Sequence, residues 1–174
     1  VIDKLTTYNS TISVIHYQKL LEFTLKHRSL STMKVLENIF NNDIKVSYKN
    51  IQEVISYAIK KNHCNILSLV LKTIQKYGLI LNQGDLDRIL IFCIENKLDS
   101  CIRDLDFSKN KIQNSNIFNS LISYLIFSKK TNILIGLLKY SFKTNCIFYA
   151  KNISPLISYL CEKNKFTDAC TLTK

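Results

Sequence analysis

The chain repeats itself about every 34 residues, and this period constrains its fold more than any motif in it. One series of small or apolar residues runs Met33, Leu67, Cys101, Leu134 and Ala169, at intervals of 34, 34, 33 and 35. A second series, three residues earlier, runs Leu30, Cys64, Leu98, Thr131 and Phe166. A third, of polar residues, runs Arg28, Asn62, Asn96, Lys129 and Asn164. The three stay in phase along the whole chain. A fixed period of roughly 20 to 50 residues marks supersecondary units that stack on one another, because no single unit can bury its own apolar face.

Each period reads as two amphipathic helices. Tyr17, Leu20, Leu21 and Thr24 mark the inner face of one, and Leu30, Met33, Leu36 and Phe40 that of its partner; intervals of three and four are helical. The second period pairs Ile51, Val54, Ile55, Ala58 and Ile59 with Leu67, Val70, Leu71 and Ile74, and the fourth pairs Phe118, Leu121, Ile122 and Leu125 with Ile133, Leu134, Leu137 and Leu138. Gly78 follows Tyr77 where a helix end needs a left-handed residue. Asp85 is expected to cap the next helix, and Ser154 to cap another with Pro155 at its first position. In the third period Asp104 stands where other periods place Leu36, Val70, Leu137 and Leu172, so its second helix is expected to be short; Ser108 to Ser115 reads as the one longer connection. The pattern predicts an all-α solenoid of about five antiparallel helix-turn-helix repeats in a single domain over 1–174, with repeats near 15–47, 48–83, 84–115, 116–151 and 152–174. The chain starts at Val1 and stops mid-repeat at Lys174, so it is expected to be part of a longer protein with further repeats.

Only 3 Gly and 1 Pro argue against a tight-turned β fold, and no run of about 18 apolar residues argues for a membrane span. The six cysteines, Cys64, Cys93, Cys101, Cys146, Cys161 and Cys170, show no CxxC pair and no zinc spacing with histidine, and most fall at apolar positions. They read as free, buried thiols in a reducing intracellular compartment, the cytoplasm or, given a targeting segment upstream, the mitochondrion. His16, His27 and His63 have no nucleophile or carboxylate at motif spacing, and Gly78, Gly84 and Gly136 are too far apart for a phosphate-cradling loop. The acidic residues Asp85, Asp87, Asp99, Asp104 and Asp106 match no calcium-binding loop and read as a solvated face. No catalytic, cofactor or metal site and no small-molecule substrate is expected.

Net charge is +11, unevenly placed. Residues 85–106 carry 3 basic and 6 acidic side chains, whereas residues 107–174 carry 10 basic and 2 acidic, with seven lysines and no acid between Asp106 and Glu162. Such a stretch attracts phosphate or an acidic partner, although lysine also accumulates simply as a solubilising residue. Lys139 and Lys143, four apart on one helix face, with Lys129, Lys130 and Lys151 at turns, are the candidate phosphate contacts. Arginine is absent from this stretch, which rules out bidentate phosphate forks there.

Two segments resemble pentatricopeptide repeats. Phe118-Asn119-Ser120-Leu121-Ile122-Ser123-Tyr124-Leu125 is similar to the family's aromatic-Asn-x-Leu-Ile opening. Pro155 to Ala169 is similar to its opening helix, its inter-helix turn and its close helix crossing at an alanine. The resemblance spans all five periods and is strongest in the last two. It implies a solenoid that binds single-stranded RNA one base per repeat, with two or three side chains reading each base. The implied readers are Gln18, Gln52, Asn119 and Ser154 near the start of each first helix, with Leu86 or Asp87 in the third period, and Asn82 at a repeat end. The two glutamines, and Tyr48 and Tyr149 at other repeat ends, depart from the family's pattern. Helical repeats with a similar period, such as tetratricopeptide and ankyrin repeats, mostly bind proteins, but their signature residues are missing here. Two readings follow: RNA binding through a basic face, or a scaffold that holds an acidic protein, a peptide or a helix on its concave face.

Overall fold

A computed structural model describes residues 14–27, 31–42, 44–144 and 148–172, leaving aside the side chains of residues 14, 15 and 142–144. Among the described residues there are ten helices and no strand: α1 (Val14–Lys26), α2 (Thr32–Asn41), α3 (Tyr48–Lys60), α4 (Cys64–Tyr77), α5 (Gln83–Glu95), α6 (Asp99–Asp104), α7 (Ser115–Phe127), α8 (Thr131–Thr144), α9 (Ala150–Glu162) and α10 (Phe166–Thr171). The chain divides into two compact units, Val1–Leu79 and Ile80–Lys174. In the first, α1 packs on α2 and α3, α2 on α4, and α3 on α4. In the second, α5 packs on α6 and α7, α7 on α8 and α9, and α9 on α10.

Every odd-numbered helix is 13 residues long, and each buries an apolar stripe at helical spacing. Ile51, Val54, Ile55 and Ala58 on α3 are fully enclosed, as are Leu121, Ile122 and Leu125 on α7. Opposite them lie Leu67, Val70 and Leu71 on α4, and Leu134, Leu137 and Leu138 on α8. Each such aliphatic side chain contributes about 1.5–3 kcal/mol by leaving water. Propensity alone would not hold helices of this length in water.

Four hairpins close through the same three-residue turn. In Lys61-Asn62-His63, Asn96-Lys97-Leu98, Ser128-Lys129-Lys130 and Lys163-Asn164-Lys165 the central residue is left-handed, with φ of 55°, 55°, 57° and 55°. The residue after it donates its backbone N–H five residues back: His63 to Ala58 (2.8 Å), Leu98 to Cys93 (2.9 Å), Lys130 to Leu125 (3.0 Å) and Lys165 to Leu160 (2.8 Å). The left-handed residue itself bonds three residues back, as in Asn164 to Cys161 at 3.0 Å. These paired bonds satisfy carbonyls that a helix end leaves orphaned. Gly78, at φ 62°, ends α4 in the same way, as expected.

The structure departs from the sequence period in three places. The left-handed residue of the third hairpin is Lys97 rather than Asn96, so these residues follow one another at 35, 32 and 35. Asn82, not Asp85, caps α5: its Oδ1 accepts the Asp85 N–H at 2.8 Å. Asp85 sits in the first turn, where the helix dipole favours a negative charge. Ser154 caps nothing, because α9 begins four residues earlier and Pro155 lies inside it. Asn152 is held against α7 by side-chain hydrogen bonds, which fixes a turn of helix ahead of the proline. As expected, α6 is short, at six residues, and Leu105 leaves it in extended backbone. The polar connection that follows is anchored by buried Asn110, whose Oδ1 accepts the Leu81 N–H at 2.8 Å.

A left-handed backbone costs a residue with a Cβ about 1–2 kcal/mol. Lys97→Gly is therefore expected to raise the free energy of unfolding in urea by up to about 1 kcal/mol, and Lys97→Val to lower it by about 1–2 kcal/mol.

Candidate nucleic-acid interface

The residues implied as base readers share one place in the fold. Gln52, Asp87, Asn119 and Ser154 each stand ten residues before the left-handed residue of their hairpin. On α5 and α7 this place faces the next hairpin. Asp87 Oδ2 accepts from Asn114 Nδ2 at 3.3 Å, and Asn114 in turn caps α7. Asn119 is 2% exposed. Its Nδ2 donates to the Ser115 carbonyl at 2.7 Å, and its Oδ1 accepts from the Tyr149 backbone N–H at 2.7 Å and from Asn152 Nδ2 at 3.1 Å. Its Oδ1 thus has both acceptor sites taken, and burial keeps the amide from a base. The reading role implied for Asn119 therefore does not match its position: it is a polar staple between α7 and α9. Asn82 is exposed but occupied as a helix cap, Ser154 is exposed on α9, and Gln18 and Gln52 are half-buried.

A second polar contact recurs beside it. Asn152 Oδ1 accepts from Ser123 Oγ at 3.0 Å, joining α9 to α7, while Asn50 Nδ2 donates to Glu22 Oε1 at 3.3 Å, joining α3 to α1. Asn50 and Asn152 are equivalent, as are Glu22 and Ser123. Sequence reasoning missed this pair. Its signal was an Asn at the same step of two first helices, visible once the turns are aligned.

The lysines do not converge. Lys129 is exposed at its turn. Lys130 Nζ lies 2.8 Å from Asp99 Oδ2. Lys139 is exposed on α8, and the side chain of Lys143 lies outside the described residues. Lys151, in the first turn of α9, has its Nζ 5.8 Å from the Tyr149 ring centre. It stands at the far end of its helix from the turn, roughly 15–20 Å away at 1.5 Å per residue. Other lysines join Lys129 instead. Lys97, Lys163 and Lys165 are exposed at the neighbouring hairpin turns, with Glu95 and Glu162 among them. Tyr124 and Tyr159 tie these turns together: the Tyr124 hydroxyl donates to Asp99 Oδ1 at 2.5 Å, and the Tyr159 hydroxyl lies 2.6 Å from Thr131 Oγ1. Phe127, 85% exposed, stands on the same edge. In the sequence Phe127 closes an apolar run; its position as the last residue of α7 puts it in water.

Burial raises the proton affinity of Asp99, but the hydrogen bonds from Lys130 and Tyr124 and the charges of Lys130 and Arg103 outweigh it, so its pKa falls below 3.8. Burial and then the Asp99 carboxylate push the Tyr124 hydroxyl well above its usual range, and it stays protonated.

Cys93 and Cys101 are buried and Cys64 is half-buried, but Cys161 and Cys170 are exposed, contrary to the expectation for most of the six; Cys146 lies outside the described residues. Among the described residues no His, Cys, Asp and Glu cluster could hold a metal ion, and no helix is long and apolar enough to cross a membrane. A scan of protein-family models finds no match to this chain, and a search of curated proteins finds none.

Two measurements test this geometry. Asn119→Ala leaves the Tyr149 N–H and Asn152 amide short of an acceptor and is expected to cost about 1–3 kcal/mol of stability in chemical denaturation. Because the folded Asp99 titrates below its ordinary value, its stabilising effect is complete above pH 3.8 and fades as pH falls through the folded value. Asp99→Asn should therefore narrow its gap to the wild type as the pH drops below 3.8, when thermal unfolding is followed at both ends of that range.

Proposed function

We propose that this chain is a non-enzymatic, pentatricopeptide-like α-solenoid that binds single-stranded RNA along the hairpin-turn edge of its second unit, without reading base identity. The observation that carries this is Phe127, 85% exposed beside the exposed turn lysine Lys129, with Lys97, Lys163 and Lys165 at the neighbouring turns. An exposed aromatic ring gives any base a stacking surface, and lysines give phosphates point charges without fixed geometry. The engaged Asp87 and Asn119 argue against a base code, because their polar atoms serve packing between hairpins. Lys130 contributes less than its charge suggests, since Asp99 neutralises it. Glu95 and Glu162 dilute the edge further, so binding should be weak.

The second reading, a scaffold for an acidic protein segment on the same edge, is favoured by the same loss of reader positions. Binding of a fluorescent homopolymeric RNA separates the two. Under the RNA reading, log affinity falls linearly with log salt at a slope of about −0.7 for each phosphate neutralised. Phe127→Ala weakens binding by about 1–3 kcal/mol whatever the base composition. Lys129→Glu lowers the affinity and flattens the salt slope. No binding at low salt would end the RNA reading, and binding that discriminates strongly among the four homopolymers would end the claim that no base is read.

A further inference from the structure

The first unit carries a positive surface of its own. Between Glu53 and the end of this unit at Leu79 the chain has no acidic residue, but it has Lys60, Lys61, Lys72 and Lys76. Lys60 closes α3 and Lys61 opens the turn, and both are exposed, as is Asn62 beside them. Along α4, Asn65, Lys72 and Lys76 are exposed at intervals of seven and four, which puts them on one helix face. From the turn to Lys76 the row runs about 18 Å, at 1.5 Å per residue.

Carboxylates compensate cations in the second unit. Lys130 lies 2.8 Å from Asp99, Arg88 3.6 Å from Asp85 and Lys109 3.8 Å from Asp106. In the first unit Lys76 Nζ donates to the Phe40 carbonyl at 2.8 Å and lies 4.5 Å from that ring's centre, which pins the far end of the row to α2. Among the described residues, Lys60, Lys61 and Lys72 form no ion pair. Glu53 stands seven residues before Lys60, about 10 Å along α3. On α2, which packs against α4, Lys34 and Glu37 are exposed, one charge of each sign.

The chemistry of this row selects its partner. The large apolar side chains of α3 and α4 are all buried or half-buried. A protein interface needs a desolvated apolar or aromatic centre, and the row offers none. A nucleic-acid backbone needs no such centre, because neutralising its phosphates releases counterions. Lysine suits that task without fixing the geometry of the strand.

We propose that the α3–α4 hairpin of the first unit is a second nucleic-acid contact, at which Lys60, Lys61 and Lys72 neutralise backbone phosphates whatever the base or sugar. It does not rest on the edge of the second unit, which depends on base stacking at Phe127.

Equilibrium binding of the full chain to two fluorescent probes of equal length tests it. One is a homopolymeric RNA, the other a deoxyribose-phosphate strand without bases. Lys60→Gln, Lys61→Gln and Lys72→Gln together should flatten the slope of log affinity against log salt by about 2 on both probes, at about 0.7 per phosphate. Circular dichroism should not change, since all three side chains are exposed. Lys19→Gln, Lys45→Gln and Lys49→Gln remove the same charge from exposed sites outside the row and should leave the slope nearly unchanged. Phe127→Ala should weaken binding of the RNA alone, so a failure there strikes the second unit's edge and not this surface. The proposal is overturned if the strand without bases stays unbound at low salt, or if the first triple variant keeps the wild-type slope. It is also overturned if both triple variants flatten the slope equally, which would make net charge the cause. Poly-glutamate that competes as well as the strand without bases at equal charge would assign the row to an acidic protein instead.

Discussion

Three residues between helices leave little choice about where the second helix goes. With a left-handed residue at the centre, the chain reverses, and the following N–H reaches back across the helix end. Asn62, Lys97, Lys129 and Asn164 all take this conformation, and only asparagine among them is a residue that visits it readily. At the two lysine turns the backbone penalty is about 1–2 kcal/mol. The two capping bonds of the turn offset part of this, and the apolar faces that the reversal brings together offset the rest. The facing stripes of α3 and α4, and of α7 and α8, need no separate explanation once the turn is set; without it, 13-residue helices would have little reason to persist.

From that closure follows a fixed phase between neighbouring hairpins, and the phase decides which polar residues go inside. Asn119, Asn152, Asn50 and Asp87 are polar residues on helices that could have faced water. Their partners come from the adjacent hairpin, about thirty residues away. A half-satisfied buried amide is expensive, so each such residue favours one register over a shifted one. Aliphatic contacts tolerate sliding more easily than these bonds do.

Much of the fold was legible because apolar spacing and turn positions are local. The faces of α3, α4, α7 and α8, the left-handed Gly78, the shortness of α6 and the connection after it all come from signals within a few residues. The rest depends on partners that the chain does not announce. The one-residue offset at Lys97 is invisible because Leu98, Cys101 and Ile102 are all apolar and support either phase. The early start of α9 overrides the local Ser-Pro signal because Asn152 is held from α7. The period puts Gln52, Asn119 and Ser154 at one step, with Leu86 in strict phase and Asp87 one residue on, but it does not say that a neighbouring hairpin engages Asp87 and Asn119. At the candidate interface, Lys129 was legible as a turn residue, while the exposure of Phe127 depended on where α7 ends.

The same packing restricts where a ligand can be held. On α5 and α7 the first-helix positions that could present side chains to a ligand are occupied by contacts to the next hairpin, through Asp87 and Asn119, whereas Ser154 on α9 is exposed. The Asp99, Tyr124 and Lys130 cluster shows the tension at the turns themselves. There one lysine is drawn into packing, and it steadies α6, which at six residues has few contacts of its own. The next residue along, Lys129, cannot be drawn in that way, because its left-handed backbone points its side chain away from both helices and into water. Exposure at the turn centres is thus a consequence of the closure and not an independent feature. Whatever this chain binds through its second unit should meet these centres first, and the residue types at them can vary without disturbing the fold so long as they tolerate the left-handed conformation.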